Sequence, residues 1–291
     1  MPHNKTTYNF RTMRHLLTGT TAIIGCAFLA HTAHAQTVIS GTVNTTQTLS
    51  NGEELEVTLS GVVSNAEPAV DVNGVTADSI TNSGTIQGTT NGILLTNTAD
   101  IQNGISNTGS IIGGDVGINV QTSSDIAGGI NNTGSITSGS TAILIGAASD
   151  ISGNIDNSGN ITGLVNGIAL VSTAAMSGNI NNSGTITSVS LTTSEILGVV
   201  TNQTGGLIER VEISGSDISG SLVNEDTGII NEIIIDNSSN VTGNIDNQAS
   251  ITGAAIGISI DNATVSGDVT NSGTISGSNT AIKLVTTSDM N

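Results

Sequence analysis

The chain has 291 residues, a formal net charge of −18, and aromatic side chains at only 1% of its positions. All of its His, Cys and aromatic residues precede Gln36, so residues 36–291 cannot form a His- or Cys-based nucleophilic site or a usual structural zinc site. Arg210 and Lys283 are the only cations in 36–291 against 23 acids, which gives a net charge of −21 and argues against nucleic-acid binding.

Residues 1–35 have the features of a secretory signal peptide. Three cations precede the apolar stretch 16–30, and Ala33-His34-Ala35 provides small residues for cleavage after Ala35. Ile23-Ile24-Gly25-Cys26 also loosely fits a lipoprotein signal, so lipidation of Cys26 stays open as an alternative. No later apolar run reaches 18 residues, and we therefore expect no transmembrane helix in the mature chain.

Residues 36–75 are rich in strand-forming residues but do not follow the repeat that comes next. A solenoid needs its first coil covered, so we predict an N-terminal cap and a first irregular coil here. Asn51-Gly52 lies between two runs of alternating apolar residues, which indicates a β-hairpin.

Residues 76–291 repeat with a period of 25 residues or slightly fewer. The repeat is marked by an asparagine, here called the ladder Asn, at Asn82, Asn107, Asn132, Asn157, Asn182, Asn202, Asn224, Asn247 and Asn271. Aliphatic residues keep fixed offsets from it, as in Ile143 and Ile145 around the unconstrained Leu144, and this period of two is typical of strands with one buried face. We predict about three short strands in each unit.

This periodicity predicts an all-β fold, a parallel β-helix with coils of about 20–25 residues. Coils stacked about 4.8 Å apart would pair their backbones and place a column of Ile, Val and Leu along the axis. Ladder Asn side chains would hydrogen-bond from coil to coil. We expect the glycine two residues after the ladder Asn to provide positive φ, at Gly84, Gly109, Gly134, Gly159, Gly184 and Gly273.

Two groups of acidic residues could form a metal-binding or catalytic site. Asp100, Asp125 and Asp150 share one position of successive coils, with Asp289 there again and Ala175 interrupting. They are either turn acids in water or a stack that shares a Ca²⁺ ion. The less regular stretch 190–240 contains five of the nine Glu residues, from which a carboxylate pair for glycoside hydrolysis could come, although no spacing selects a pair. These five are Glu195, Glu209, Glu212, Glu225 and Glu232.

An ice-binding surface would require a regular array of outward threonines. The outward positions are mixed instead, as Leu94, Asn119, Ala169 and Lys283. We therefore assign no catalytic, cofactor-binding or metal-binding residue from the sequence.

A leader followed by repeated N-[ST]-G-x-I-x-G and G-I-x-L units resembles the passenger region of bacterial autotransporters, the proteins of type V secretion, over about residues 36–291. The resemblance implies a right-handed parallel β-helix and, in the full-length protein, a C-terminal translocating β-barrel in the outer membrane. The repeats run to Asn291 and stop within a coil, so we expect this chain to be a fragment or the product of a truncated gene, without the barrel.

The protease passengers of that family need a His-containing triad, which residues 36–291 cannot form. The resemblance therefore implies a structural, adhesive or self-associating protein and no enzyme. Its partners would be host-surface or neighbouring-cell molecules or further copies of itself. It would lie at the cell surface or outer membrane of a Gram-negative bacterium or outside the cell, or in the periplasm if the barrel is missing. The alternative is a β-helical polysaccharide-degrading enzyme, a glycoside hydrolase or lyase.

Overall fold

The computed structural model describes residues 35–285 and 288–290, which form a β-solenoid. These residues contain no helix, and hence none that could cross a membrane. Their strands form four parallel sheets, and the chain visits each sheet once in a full coil. The predicted fold class, an all-β parallel β-helix, is confirmed. The predicted leader, with the alternative at Cys26, lies outside the described residues except for Ala35.

Within residues 35–285 and 288–290, three of the sheets have 11 strands and the fourth has 10. The first sheet contains Gln36–Ile39, Glu54–Val57, Ser79–Asn82, Ile105–Asn107, Ile130–Asn132, Ile155–Asn157, Ile180–Asn182, Val200–Asn202, Leu222–Asn224, Ile245–Asn247 and Val269–Asn271. The second contains Thr42–Val43, Val62–Ala66, Thr85–Gly88, Ser110–Gly113, Ser135–Ser138, Asn160–Gly163, Thr185–Ile186, Leu207–Ile208, Ile229–Ile230, Ser250–Gly253 and Thr274–Gly277. The third contains Gln47–Thr48, Val70–Asn73, Asn91–Thr96, Val116–Val120, Thr141–Ile145, Asn166–Val171, Val189–Thr192, Val211–Ser214, Ile233–Asp236, Ile256–Asp261 and Thr280–Val285. The fourth contains Thr76–Ala77, Asp100–Ile101, Asp125–Ile126, Asp150–Ile151, Ala175–Met176, Glu195–Ile196, Asp217–Ile218, Asn240–Val241, Thr264–Val265 and Asp289–Met290.

The fourth sheet was not expected, since the sequence indicated about three strands in each unit. Its strands have only two residues, such as Asp125–Ile126, and two residues are too few to show a period. From Thr76–Ala77 to Thr264–Val265, only the second residue of each of these strands is buried, as Ile126 and Ile151 are. We name the turns after the sheets they join: the first corner joins the first and second sheets, the second corner the second and third, and the third corner the third and fourth.

The core is a column of aliphatic side chains that are stacked in register. Ile118, Ile143 and Ile168 are Cα partners in successive strands, and all three are fully buried. Leu144 points away from the core and is half-buried. Ala169, its partner in the next coil, is 2% exposed because the outward side chains of the stack cover one another. The predicted inward positions are buried in the units of Asn82 to Asn247, but in the last unit Ile275 and Ile282 are half-buried and Leu284 is 51% exposed. The outward side chains are less exposed than the alternation along the strand suggests.

The ladder Asn side chains form one continuous chain of hydrogen bonds inside the first corner. Asn132 Nδ2 donates to Asn157 Oδ1 at 2.7 Å, and Asn157 Nδ2 donates to Asn182 Oδ1 at 2.7 Å. The pattern continues across the shorter coils, where Asn182 bonds Asn202 at 2.9 Å. At the start of the ladder the preceding partner is Val57, which leaves Asn82 Oδ1 buried without a donor. The predicted ladder is confirmed.

The glycines two residues after the ladder Asn have a different role from the one predicted. Positive φ was expected at Gly84, Gly109, Gly134, Gly159, Gly184 and Gly273, and none of these glycines has it. Among the described residues, positive φ is found instead at Gly52, Gly74, Gly104, Gly129, Gly205 and Gly215. A Cβ atom at Gly159 would lie 2.0 Å from the carbonyl oxygen of Gly134 in the preceding coil. The prediction was wrong because close stacking, and not backbone handedness, requires glycine there.

Left-handed backbone is concentrated at the third corner, where most of the residues are not glycine. Ala147 and Ala148 have φ values of 51° and 58°, and their equivalents in neighbouring coils are Thr and Ser. Left-handed backbone is unfavourable for residues with a Cβ atom. The corner is held by bonds to adjacent coils: Ser123 N donates to Ala147 O at 3.0 Å, and Ala148 N donates to Ser172 O at 3.2 Å.

Residues 36–75 form two short coils whose strands pair in parallel with the rest of the array. Gln36–Ile39 pairs with Glu54–Val57, which in turn pairs with Ser79–Asn82. The hairpin predicted at Asn51-Gly52 is wrong. The two residues do form a turn, but it leads from the third sheet directly to the first, so its flanking strands belong to different sheets and do not pair.

The register predicts that two adjacent aspartate substitutions have unequal effects. Ile143→Asp buries an unpaired carboxylate and should lower the free energy of unfolding by about 4 kcal/mol or more. Leu144→Asp loses some half-buried apolar surface but leaves its charge at the surface, and should cost about 1 kcal/mol. Urea unfolding followed by circular dichroism measures both variants. Equal losses would contradict the register.

Candidate functional site

The predicted aspartate stack is present on the fourth sheet. Asp100 and Asp125 are Cα partners, as are Asp125 and Asp150, and the next partner in the stack is Ala175. The Ser152 hydroxyl lies 3.4 Å from each Asp125 carboxylate oxygen and 3.3 Å from Asp150 Oδ2. The structure thus brings together the three acids that the repeat aligned.

Partial burial makes these charges unfavourable. Desolvation raises the pKa of Asp125 above its ordinary value, and the neighbouring charges of Asp150 and Asp100 raise it further. Desolvation also raises the pKa of Asp100 and of Asp150, while the Ser152 hydroxyl acts in the opposite direction on Asp150. Within the described ranges, no group of three or more His, Cys, Asp or Glu residues is arranged to hold a metal ion. The calcium alternative therefore gains no geometric support.

A more distinctive site arises where three successive coils have a shortened second corner. Six residues lie between Ile161 and Ile168, which flank a full corner, whereas two lie between Ile186 and Val189. The next two coils have the same short form, and the full corner returns between Ile251 and Ile258. The strands themselves stay paired throughout, so the missing residues leave a notch in the side of the solenoid.

The floor of the notch is polar and charged. It consists of the two corner residues of each short coil, Thr187, Ser188, Glu209, Arg210, Asn231 and Glu232. Val165 from the preceding full corner and Ala254 from the following one form its walls, and the space has a volume of about 380 Å³. The walls stand four coil spacings apart, which is roughly 19 Å at about 4.8 Å for each spacing.

The charges in the notch are not balanced. The Arg210 guanidinium is 2.9 Å from the Glu212 carboxylate, which lies on the adjoining strand of the third sheet. Glu209 is exposed and Glu232 is half-buried at the floor. Of the five Glu residues counted in 190–240, the structure places Glu209 and Glu232 in one notch beside Arg210. Glu195 lies on the fourth sheet, and Glu225 at the first corner.

The spacing of the ladder Asn residues predicts the notch, although we did not interpret it in that way. The step between ladder Asn residues falls from 25 to 20 after Asn182. Ile186 and Val189 match Ile161 and Ile168 of the preceding coil. Four of the five missing residues therefore come from the second corner. Without locating the shortened corner, the sequence gives no reason to treat Val165 and Ala254 as the two sides of one surface.

No protein-family model matches the chain, and no curated protein or solved structure matches it either.

The raised pKa of Asp125 predicts a stability effect that depends on pH. A folded-state pKa above the unfolded value means that the charge destabilises the fold at neutral pH, and that this cost disappears as the pH falls through the folded pKa. Asp125→Asn should therefore raise Tm slightly at pH 7, on the order of 1–2 °C, and the gain should shrink on acidification. Thermal melts at several pH values measure it.

The matched control is Asp115→Asn, which changes an exposed acid at the tip of a second corner. It removes the same charge from the rod and should leave Tm almost unchanged. A lower Tm for Asp125→Asn at pH 7, or a gain that does not vary with pH, would contradict the assignment.

Proposed function

We propose that the chain is the exported β-helical passenger of an autotransporter, with a structural, adhesive or self-association role at the surface of a Gram-negative bacterium. The observation that carries the proposal is the uninterrupted array of coils, in which Asn82 to Asn271 form a single ladder. A stack of this kind presents a long lateral surface with stiff backbone pairing, which suits display and contact at a distance from the membrane.

The chemistry of the surface supports contact rather than catalysis. Residues 36–291 contain no aromatic side chain on which a sugar ring could stack, and no His or Cys that could act as a nucleophile or base. The leader predicted over 1–35 supports export.

The notch favours one second candidate, a polysaccharide-degrading enzyme. Glu209 and Glu232 beside Arg210 are residue types that a glycoside hydrolase uses. Glu209 is exposed to water, however, and a general acid in such enzymes is usually shielded from it. Release of reducing ends from a polysaccharide by the purified chain, lost in Glu209→Gln and in Glu232→Gln, would favour the enzyme.

Cell fractionation tests the export proposal. The chain expressed alone in a Gram-negative host should be cleaved after Ala35 and recovered from the periplasm. Joined at its C-terminus to an autotransporter barrel, the same chain should reach the surface and be digested by external protease on intact cells. A version without residues 1–35 is the control and should stay in the cytoplasm.

Two outcomes would contradict this proposal. One is stable surface display of the chain without a barrel. The other is retention of the barrel-linked chain inside the cell while a known passenger on the same barrel is displayed.

A further inference from the structure

The two walls of the notch are apolar, unlike the other full second corners of the repeat region. The wall on one side is Leu164-Val165, with exposed fractions of 83% and 59%, and the wall on the other side is Ala254-Ala255, which is also exposed. The remaining full corners in 76–291 present Thr89-Thr90, Gly114-Asp115, Gly139-Ser140 and Ser278-Asn279. Apolar side chains therefore stand at the second corner on both sides of the missing residues.

The floor between these walls carries a net negative charge. The register aligns Glu209 with Asn231, and Arg210 with Glu232, in neighbouring coils. Glu209 is thus the first corner residue of one short coil, and Glu232 is the second corner residue of the next. Glu212 neutralises Arg210 at 2.9 Å, which leaves Glu209 and Glu232 without an ion-pair partner among the described residues. A cation is therefore the complementary ligand charge, and an anion would meet two unneutralised carboxylates.

From this juxtaposition we propose that the notch binds an extended, lysine-bearing segment of a partner protein. Lysine has an ammonium group on a long aliphatic stem, so it can place the charge near Glu209 and Glu232 while the stem covers Val165 or Ala254. The half-buried hydroxyl of Thr187 and amide of Asn231 would bond the backbone of the segment, whereas Ser188 is buried and donates to Asn166 Oδ1 at 3.1 Å. The three short coils, at about 4.8 Å each, leave an opening of roughly 14 Å between the walls, which accommodates about four extended residues.

This inference rests on the proposed adhesive role for its biological use, but the binding itself can be measured on the purified chain. The probe is the blocked peptide acetyl-Ala-Lys-Ala-Lys-Ala-amide, added to ¹⁵N-labelled protein at low and at near-physiological salt. Amide shifts of residues 187–188, 209–210 and 231–232 should move and saturate. The peptides with Ser or Glu in place of Lys should cause no saturable shift at these positions.

Two matched pairs of variants separate the notch from the general charge of the rod. Glu209→Gln with Glu232→Gln should weaken binding of the lysine peptide about fivefold. Glu54→Gln with Glu56→Gln removes the same charge from the outer face of the first sheet and should change binding less than twofold, as a screened distant effect. Val165→Ser should also weaken binding, whereas Val38→Ser, at a similarly exposed valine far from the notch, should not.

Equal weakening by the two glutamine pairs would overturn the proposal, since the attraction would then belong to the whole rod. Absence of saturable shifts at the notch would also overturn it, as would tighter binding of the glutamate peptide. None of these results bears on export, because fractionation tests the passenger role independently.

Discussion

This structure depends on the hydrogen bonds that buried asparagine side chains form between successive coils. The ladder Asn residues from Asn82 to Asn247 are buried inside the first corner, where an unpaired amide would cost about 1–3 kcal/mol, and only Asn271 at the end of the ladder is exposed. Asn157 avoids that cost by accepting from Asn132 and donating to Asn182, to Gly159 O at 3.1 Å and to Thr185 O at 3.2 Å. A coil shifted by one residue would leave these groups unpaired and would turn the aliphatic column outward. The ladder and the core therefore select the same register.

Variation in coil length is confined to the corners. Compared with the coil before it, the coil after Asn182 has four fewer residues at the second corner and one fewer at the third. At the third corner, Thr193 is the only left-handed residue, whereas the preceding coil has the left-handed pair Ser172-Thr173. The next coil combines the same two losses with two residues added at the first corner, between Asn202 and Ile208. The strands stay paired in every case, so the array can change its side surface without losing its core. The notch is a product of this freedom, and it creates a local binding surface on a repetitive rod.

The sequence was informative where a fixed offset within the repeat marks a side chain, and uninformative where backbone atoms of a neighbouring coil decide the conformation. Ile143 and Asn157 could be assigned because a fixed offset identifies a buried aliphatic or a buried amide, and Leu144 because it lies between two inward positions of a strand. The left-handed pair Ala147-Ala148 could not be predicted, since alanine has no preference for positive φ and the bonds that hold the corner come from adjacent coils. Gly159 was misassigned for the same reason: the carbonyl that excludes a Cβ atom belongs to Gly134, in another coil.

The stability of Asn157→Leu tests the ladder most directly. Leucine has a similar size and would gain about 2 kcal/mol from burial if apolar packing alone decided stability. If the ladder is essential, the variant leaves Asn182 Oδ1 without its donor and Gly159 O and Thr185 O without their side-chain bonds, and urea unfolding should show a net loss of about 2–4 kcal/mol. Ile155→Leu, a nearby buried apolar exchange, should cost about 1 kcal/mol. An Asn157→Leu variant as stable as the parent chain, or more stable, would contradict the account.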